Sequence, residues 1–287
     1  GPGYKPSSPC AKLARTMLLH RMTPALVVLA CLPVALAAQI GGWTAKPEVV
    51  ARTAQQQRGF NYDETKVGTY TLPDPLAGRG GPVRGRDQWP ARRAEILNLF
   101  RDNVYGRSPG KPEKLTFNTI EENARAMGGA ATLKRVAIVS QQSGRTHRFE
   151  LTLFLPNDRN GRVPVFLLIN NRPDTNTDPT RREKSGFWPA EQLIARGDGI
   201  AAIQYGQLAP DDKDHYREGA IAFFEGTATG ARPPHAWAAI AAWAWGASRA
   251  MDYLATDARV DAARVAVVGH SRGGKAALWA GAEDERF

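Results

Sequence analysis

Cysteine is nearly absent: the 287 residues contain two, Cys10 and Cys31. A disulfide framework is therefore excluded over most of the chain, whose stability must come from a sizeable apolar core. No His/Cys spacing suits zinc, so no metal or other cofactor is expected. No Lys/Arg cluster is interleaved with aromatic residues, so no nucleic-acid partner is expected. Long hydrophobic runs are lacking as well. Residues 24–36 would span about 20 Å as a helix, short of the roughly 30 Å hydrocarbon core, and no stable membrane anchor is expected. Repeats are absent, and the 28 Gly and 20 Pro have no period, which excludes collagen-like and low-complexity chains.

What is present is an ordinary globular balance, 43% apolar and 23% charged. The net charge of +10 alone would suggest a polyanionic partner, but its distribution matters more. Residues 1–38 carry Lys5, Lys12, Arg15 and Arg21 and no acidic residue. These basic residues lead into the apolar run 24–36, which ends in Ala35-Leu36-Ala37-Ala38, the pattern of a secretory signal. Met17 or Met22 suits a start, and cleavage after Ala38 would deliver a secreted or periplasmic protein. Lipidation at Cys31 is the alternative. The expected organisation is a signal with upstream extension over residues 1–38, a lead-in with one helix over 39–110, and an α/β domain over 111–287.

The pattern turns helical from Gln88 to about Val104. Pro90 falls in the first turn, and Ile96, Leu97, Phe100 and Val104 recur on one face. Residues 133–140 and 147–155 read as an antiparallel hairpin about a turn at Gln141-Gln-Ser-Gly. Residues 163–170, with Val165-Phe-Leu-Leu-Ile unbroken, read as a strand buried on both faces. A polar loop, a short helix stopped by Gly197 and a second buried strand over 199–205 follow. Residues 206–234 are long enough to mark an excursion over a site or a surface loop. Residues 236–254 form a strong helix whose tryptophans, Trp237, Trp243 and Trp245, are expected in the core, as is Trp279. Strand 264–269 and a helix from Ser271 to about Ala282 complete an alternation that predicts a three-layer α/β sandwich on a mostly parallel sheet.

Gly269-His270-Ser271-Arg272-Gly273 is a G-x-S-x-G between the last predicted strand and helix. A serine at such a turn is held in strained backbone, and side chains at the two glycine positions would crowd it. Its Oγ would stand above the sheet at the positive end of a helix, with the Arg272 N–H aimed where a tetrahedral oxyanion would form. Ser271 is therefore the candidate nucleophile; the alternative is a structural serine in an ordinary βα turn. Arg272 and Lys275, on the first helical turn, are candidates to meet an anionic or hydroxylated substrate, and Arg272 to add an oxyanion donor. Solvated helix-surface charge is their alternative.

The general base is harder to find. His270 should point away from Ser271 and act as a packing residue. In the α/β-hydrolase order the acid and then the histidine follow the nucleophile. Only sixteen residues follow Ser271, with no His among them, and Glu283, Asp284 and Glu285 are too close on the same helix. The catalytic acid and histidine are thus expected beyond Phe287, on a domain truncated at its C-terminus, with His215 and His235 as substitutes.

The block Gly-His-Ser-Arg-Gly-Gly-Lys, preceded by Trp237 to Tyr253 (with Ala-Trp-Ala-Trp-Gly-Ala-Ser-Arg-Ala-Met-Asp-Tyr) and followed by Ala280-Gly-Ala-Glu-Asp-Glu-Arg-Phe, resembles the bacterial glucuronoyl esterases. Residues 93–107, Arg-Ala-Glu-Ile-Leu-Asn-Leu-Phe-Arg-Asp-Asn-Val-Tyr-Gly-Arg, are similar to the N-terminal helix of that family. The resemblance covers about residues 87–287, and its pattern is G-x-S-R-x-G-K. It implies an α/β-hydrolase fold, Ser271 as nucleophile, Arg272 as oxyanion-stabilising arginine and Lys275 as a contact to sugar hydroxyls. It also implies cleavage of 4-O-methyl-glucuronoyl esters in glucuronoxylan or lignin–carbohydrate substrates. A monomer is expected. An acetyl xylan or other acyl esterase is the nearest alternative. A non-catalytic carbohydrate-binding relative or an inactive fragment is the alternative of a different class.

Overall fold

The computed structural model describes residues 45–57, 59–226 and 230–287. The expected signal, with Cys10 and Cys31, lies outside the described residues. The chain divides into two compact units, one ending at Thr71 and one comprising Leu72–Phe287. In the first, α1 (Pro47–Gln56) starts on a proline, which suits a first turn whose N–H has no helical partner. It buries none of its residues.

In the second unit a two-residue ladder, β1 (Ala77–Gly78) with β2 (Gly81–Pro82), precedes α2 (Trp89–Phe100). The apolar face expected for α2 is corrected beyond Leu97. Arg101–Tyr105 wind as a π-turn, whose wider turn rotates the side chains it carries. Phe100 and Val104 are left exposed, and Tyr105 swings in to stack on Trp279 at 4.5 Å between ring centroids. Residues 72–110 and 111–287 belong to one compact unit.

The main sheet has six strands in the order β3-β4-β5-β7-β6-β8. Its outer strand, β3 (Lys114–Ala126), was not singled out in the sequence. The reason is visible in its pairing with β4 (Ala131–Gln142): Thr119 faces Val136 and Glu121 faces Arg135, leaving Ile120 in a bulge. One extra residue reverses the in/out alternation on which a strand is recognised. The predicted hairpin of β4 with β5 (Arg145–Pro156) forms in full register, Gln142 opposite Arg145. Ser143 (φ 48°) and Gly144 (φ 75°) make its two-residue turn, both left-handed as the strand twist requires.

The apolar run becomes β6 (Val163–Asn170), and α3 (Ala190–Arg196) returns the chain to β7 (Gly199–Gln204). α4 (Ala220–Glu225) and α5 (Ala239–Leu254) follow, then β8 (Val260–Val268) and α6 (Arg272–Glu283). β6 pairs in parallel with β7 and β8, while β7 pairs antiparallel with β5, so four of the six strands share one direction. Successive side chains of β6 divide the core. Leu168 joins Phe154, Ile200, Trp188 and Ile194 on the α3 side. Leu167 and Ile169 join Trp243, Met251 and Ala276 on the side of α5 and α6. Three layers result, and each fully buried aliphatic or aromatic side chain contributes on the order of 1.5–3 kcal/mol. Trp237, Trp243, Trp245 and Trp279 are all in this core. No helix among the described residues is long and apolar enough to cross a membrane.

The arrangement also selects one edge of the sheet. β6 leaves toward α3 on one face, and β8 leaves toward α6 on the other. A crevice must open between their carboxyl ends, where open α/β sheets place their ligands.

Candidate active site

The G-x-S-x-G lies in that crevice, between β8 and α6. Ser271 adopts φ 53° and ψ −120°, a backbone region that L-residues rarely occupy. Such a conformation costs on the order of 1–3 kcal/mol and persists only where its surroundings impose it. The imposing contacts are the two glycines. A Cβ on Gly269 would collide with the backbone of Gly273, and one on Gly273 would press against the Ile169 carbonyl at the end of β6. Strand end, helix start and neighbouring strand therefore meet without side chains between them.

Ser271 occupies the N-cap position, and its carbonyl accepts the first helical hydrogen bond from the Lys275 N–H at 3.1 Å. Serine at such a position ordinarily caps its helix with its own hydroxyl. Here it makes no capping bond and is exposed, so Oγ is not committed to the helix. The N–H groups of the first turn remain as donors beside it.

Arg272 is exposed, and its Nη1 donates to Asp211 Oδ1 at 2.7 Å and lies 2.6 Å from Oδ2. Asp211 belongs to the excursion 206–234, so part of that segment reaches the elbow. The excursion is not a free loop: Leu208, Ala209, Ala220, Ile221 and Phe223 are buried. Lys275 is exposed one turn beyond Ser271. The three predicted residues thus share one helix end.

The opposite lip of the crevice is the loop after β6, a segment that carries no site motif. Asn170, fully buried, donates through Nδ2 to Gln204 Oε1 at 2.6 Å and to the Arg172 carbonyl at 3.2 Å. Its Oδ1 accepts from Asn176 Nδ2 at 3.1 Å. Gln204 Nε2 donates to the Arg172 carbonyl at 2.8 Å, so the ends of β6 and β7 are tied to one loop. Asn171 then stands over Gly273, its Oδ1 buried without a hydrogen-bond partner. The available signal was Asn170-Asn171 closing an unbroken apolar run, an abrupt change from core to polar network.

The histidines take other places. The His270 ring meets Phe187 edge-on at 5.5 Å, and the Arg172 guanidinium lies 5.3 Å from the same Phe187 ring. His215 is exposed, with Nδ1 2.8 Å from Glu218 Oε1; that hydrogen bond and the Glu218 charge raise its pKa above the ordinary histidine value. The His235 carbonyl accepts from the Arg107 N–H at 2.8 Å. Neither His215 nor His235 hydrogen-bonds Ser271 among the described residues. His147 is buried among Phe149, Phe223 and Trp245, and burial lowers its pKa to about 4. Among the described residues no group of three or more His, Cys, Asp or Glu is placed to hold a metal ion.

A left-handed serine turn at the carboxyl edge of parallel strands, with helices on both faces, defines an α/β-hydrolase fold. The chain belongs to the glucuronyl esterase family: the family model described as "Glucuronyl esterase, fungi" matches residues 138–287. Carbohydrate esterase MZ0003, from an unknown prokaryotic organism, is 38% identical over 274 residues, 85% of this chain and 62% of that protein. A 4-O-methyl-glucuronoyl methylesterase of Phanerochaete carnosa is 33% identical over 220 residues, 75% of this chain and 47% of that protein. The solved structure of a glucuronoyl esterase from Solibacter usitatus matches with a TM-score of 0.68 at 39% identity, covering 78% of this chain and 64% of that one. The chain therefore spans 62% or less of the length of these two curated relatives. The family found is the one that the Gly-His-Ser-Arg-Gly-Gly-Lys block resembles.

Proposed function

We propose that this protein is a secreted, monomeric serine esterase that hydrolyses 4-O-methyl-glucuronoyl esters joining xylan to lignin alcohols. The observation that carries the reading is Ser271, exposed and held at φ 53° on a strand-to-helix turn. The names of the relatives, carbohydrate esterase and 4-O-methyl-glucuronoyl methylesterase, support the choice of ester.

In the proposed reaction Ser271 Oγ attacks the ester carbonyl carbon while its proton passes to a general base. The carbonyl electron pair moves onto oxygen, and the oxyanion is met by the Arg272 N–H and the Arg272 guanidinium. Collapse expels the alcohol, which takes up the proton and leaves a glucuronoyl-Ser271 ester. Water then attacks that ester, the proton returns to Ser271 Oγ, and the uronate is released. Lys275, one turn along α6, faces the sugar hydroxyls. No cofactor takes part in these steps.

Assay of the full-length protein on benzyl glucuronate and on acetylated xylan tests the reading. Benzyl alcohol release is the expected result. Acetate release alone would assign an acyl esterase instead, and release of neither would leave a carbohydrate-binding relative. Secretion is tested by sequencing the mature N-terminus: Gln39 is expected, and a retained start at Met17 or Met22 would remove the signal from the proposal.

A further inference from the structure

The Arg272 guanidinium is exposed but paired. Both carboxylate oxygens of Asp211 close on its Nη1, at 2.7 and 2.6 Å. Among the described residues no other side chain bonds Arg272, so Nε and Nη2 stay available for a ligand.

Asp211 is held in place by the core. Two residues before it, the Ala209 carbonyl accepts the indole N–H of the fully buried Trp243 at 2.9 Å. One residue earlier, the Leu208 carbonyl accepts the Ala220 N–H at 2.7 Å, closing the base of the excursion. Trp243 belongs to α5, and α5 packs beside α6, the helix that carries Arg272. The carboxylate therefore comes from an element with its own anchor. It reaches across 61 residues of sequence to the side chain next to the candidate nucleophile.

Two physical consequences follow. An arginine side chain has many rotamers, and fixing one nitrogen reduces the freedom that must be lost when the others bind an oxyanion. The Asp211 charge also lies beside the place where the product would sit. An ester is neutral at its acyl group, whereas the product of its hydrolysis is a carboxylate, which an unpaired guanidinium retains by a bidentate pair. Charge pairing makes Arg272 a directed donor rather than a free anion site.

We infer that Asp211 is a positioning residue of the esterase: it aims the Arg272 guanidinium at the oxyanion and limits retention of the uronate product. This rests on the functional reading above. Asp211→Ala is expected to lower kcat about tenfold with little change in KM, because an interaction made in the transition state is loosened. Asp211→Asn keeps one acceptor for Nη1 and should lose less, about threefold. Both variants should bind glucuronate more tightly than the wild type, with an inhibition constant lowered about fivefold at low salt, as expected for removal of one nearby charge.

The decisive experiment is a cycle in the full-length protein. Wild type, Asp211→Ala, Arg272→Ala and the double variant are compared on benzyl glucuronate, with glucuronate as inhibitor. Arg272→Ala alone should lower kcat about a hundred- to a thousandfold, and Asp211→Ala should then add less than a factor of two. Fully additive losses, or an unchanged glucuronate inhibition constant, would overturn the role of Asp211 while leaving the esterase reading intact. Absence of hydrolysis by the wild type would overturn both. Retained thermal stability of Asp211→Asn separates positioning from unfolding, since a merely structural loss would not alter the product constant in the stated direction.

Discussion

Gly269 and Gly273 touch: there is no room for a methyl group on Gly269 beside the Gly273 carbonyl. This single approach brings the end of β8 against the first turn of α6 and forces Ser271, between them, into left-handed backbone.

Gly269→Ala should therefore damage stability and the elbow together. The backbone must move to admit the methyl group, at a cost of about 1–3 kcal/mol. For a unit of this size that lowers Tm by several degrees. Calorimetry of the variant decides, and an unchanged Tm would show that the glycine contact is not what shapes the turn.

Ser271 should separate activity from stability. Ser271→Ala removes the nucleophile, and turnover should fall about a millionfold if the triad chemistry holds. Ser271→Gly should be equally inactive yet about 1 kcal/mol more stable, because glycine takes a positive φ without strain. Undiminished hydrolysis by either variant would remove Ser271 from the chemistry.

Asn170 should behave as a structural keystone of the crevice. Asn170→Ala would leave Gln204 Oε1 and Asn176 Nδ2 without the fully buried side chain they share, while the Arg172 carbonyl keeps its bond from Gln204 Nε2. A loss of about 1–2 kcal/mol is expected, because the partners left behind are half-buried and water can meet part of their need. Urea unfolding measures it. A loss below about 0.5 kcal/mol would mean that the loop after β6 is held by something else.

His147 should impose a pH dependence on stability. Burial places its folded pKa at about 4, below the ordinary 6.5, so the unfolded chain binds this proton more readily. Its neutral, buried form is favourable above pH 6.5, and stability falls as the pH drops from 6.5 toward 4, by up to about 3 kcal/mol. Its Nε2 has no hydrogen-bond partner, so His147→Phe removes the titration without breaking a bond there. The variant should show a flatter stability profile between pH 4 and 6.5. An identical profile would place the acid sensitivity elsewhere.

Much of the site was legible because it is local. G-x-S-x-G is a strand-to-helix turn whose requirements act over five residues, and Ser271, Arg272 and Lys275 share one helix end as the spacing predicts. The β4–β5 hairpin was equally legible, from alternation and a Ser-Gly turn, and β6 from its unbroken apolar run. Where one residue changes the period, the pattern misleads: Ile120 in its bulge hid β3, and the π-turn at Arg101–Tyr105 exchanged Val104 for Tyr105 against Trp279.

The amino-acid sequence by itself determined the strand, turn and helix that carry Ser271, because their propensities and glycine positions act between near neighbours. Only the tertiary structure decided what surrounds the serine. Asp211 meets Arg272, and Asn171 stands over Gly273, through contacts between residues 61 and 102 positions apart. Such pairings depend on strand order and helix packing, which bring distant segments to one edge of the sheet and leave no mark in the local pattern.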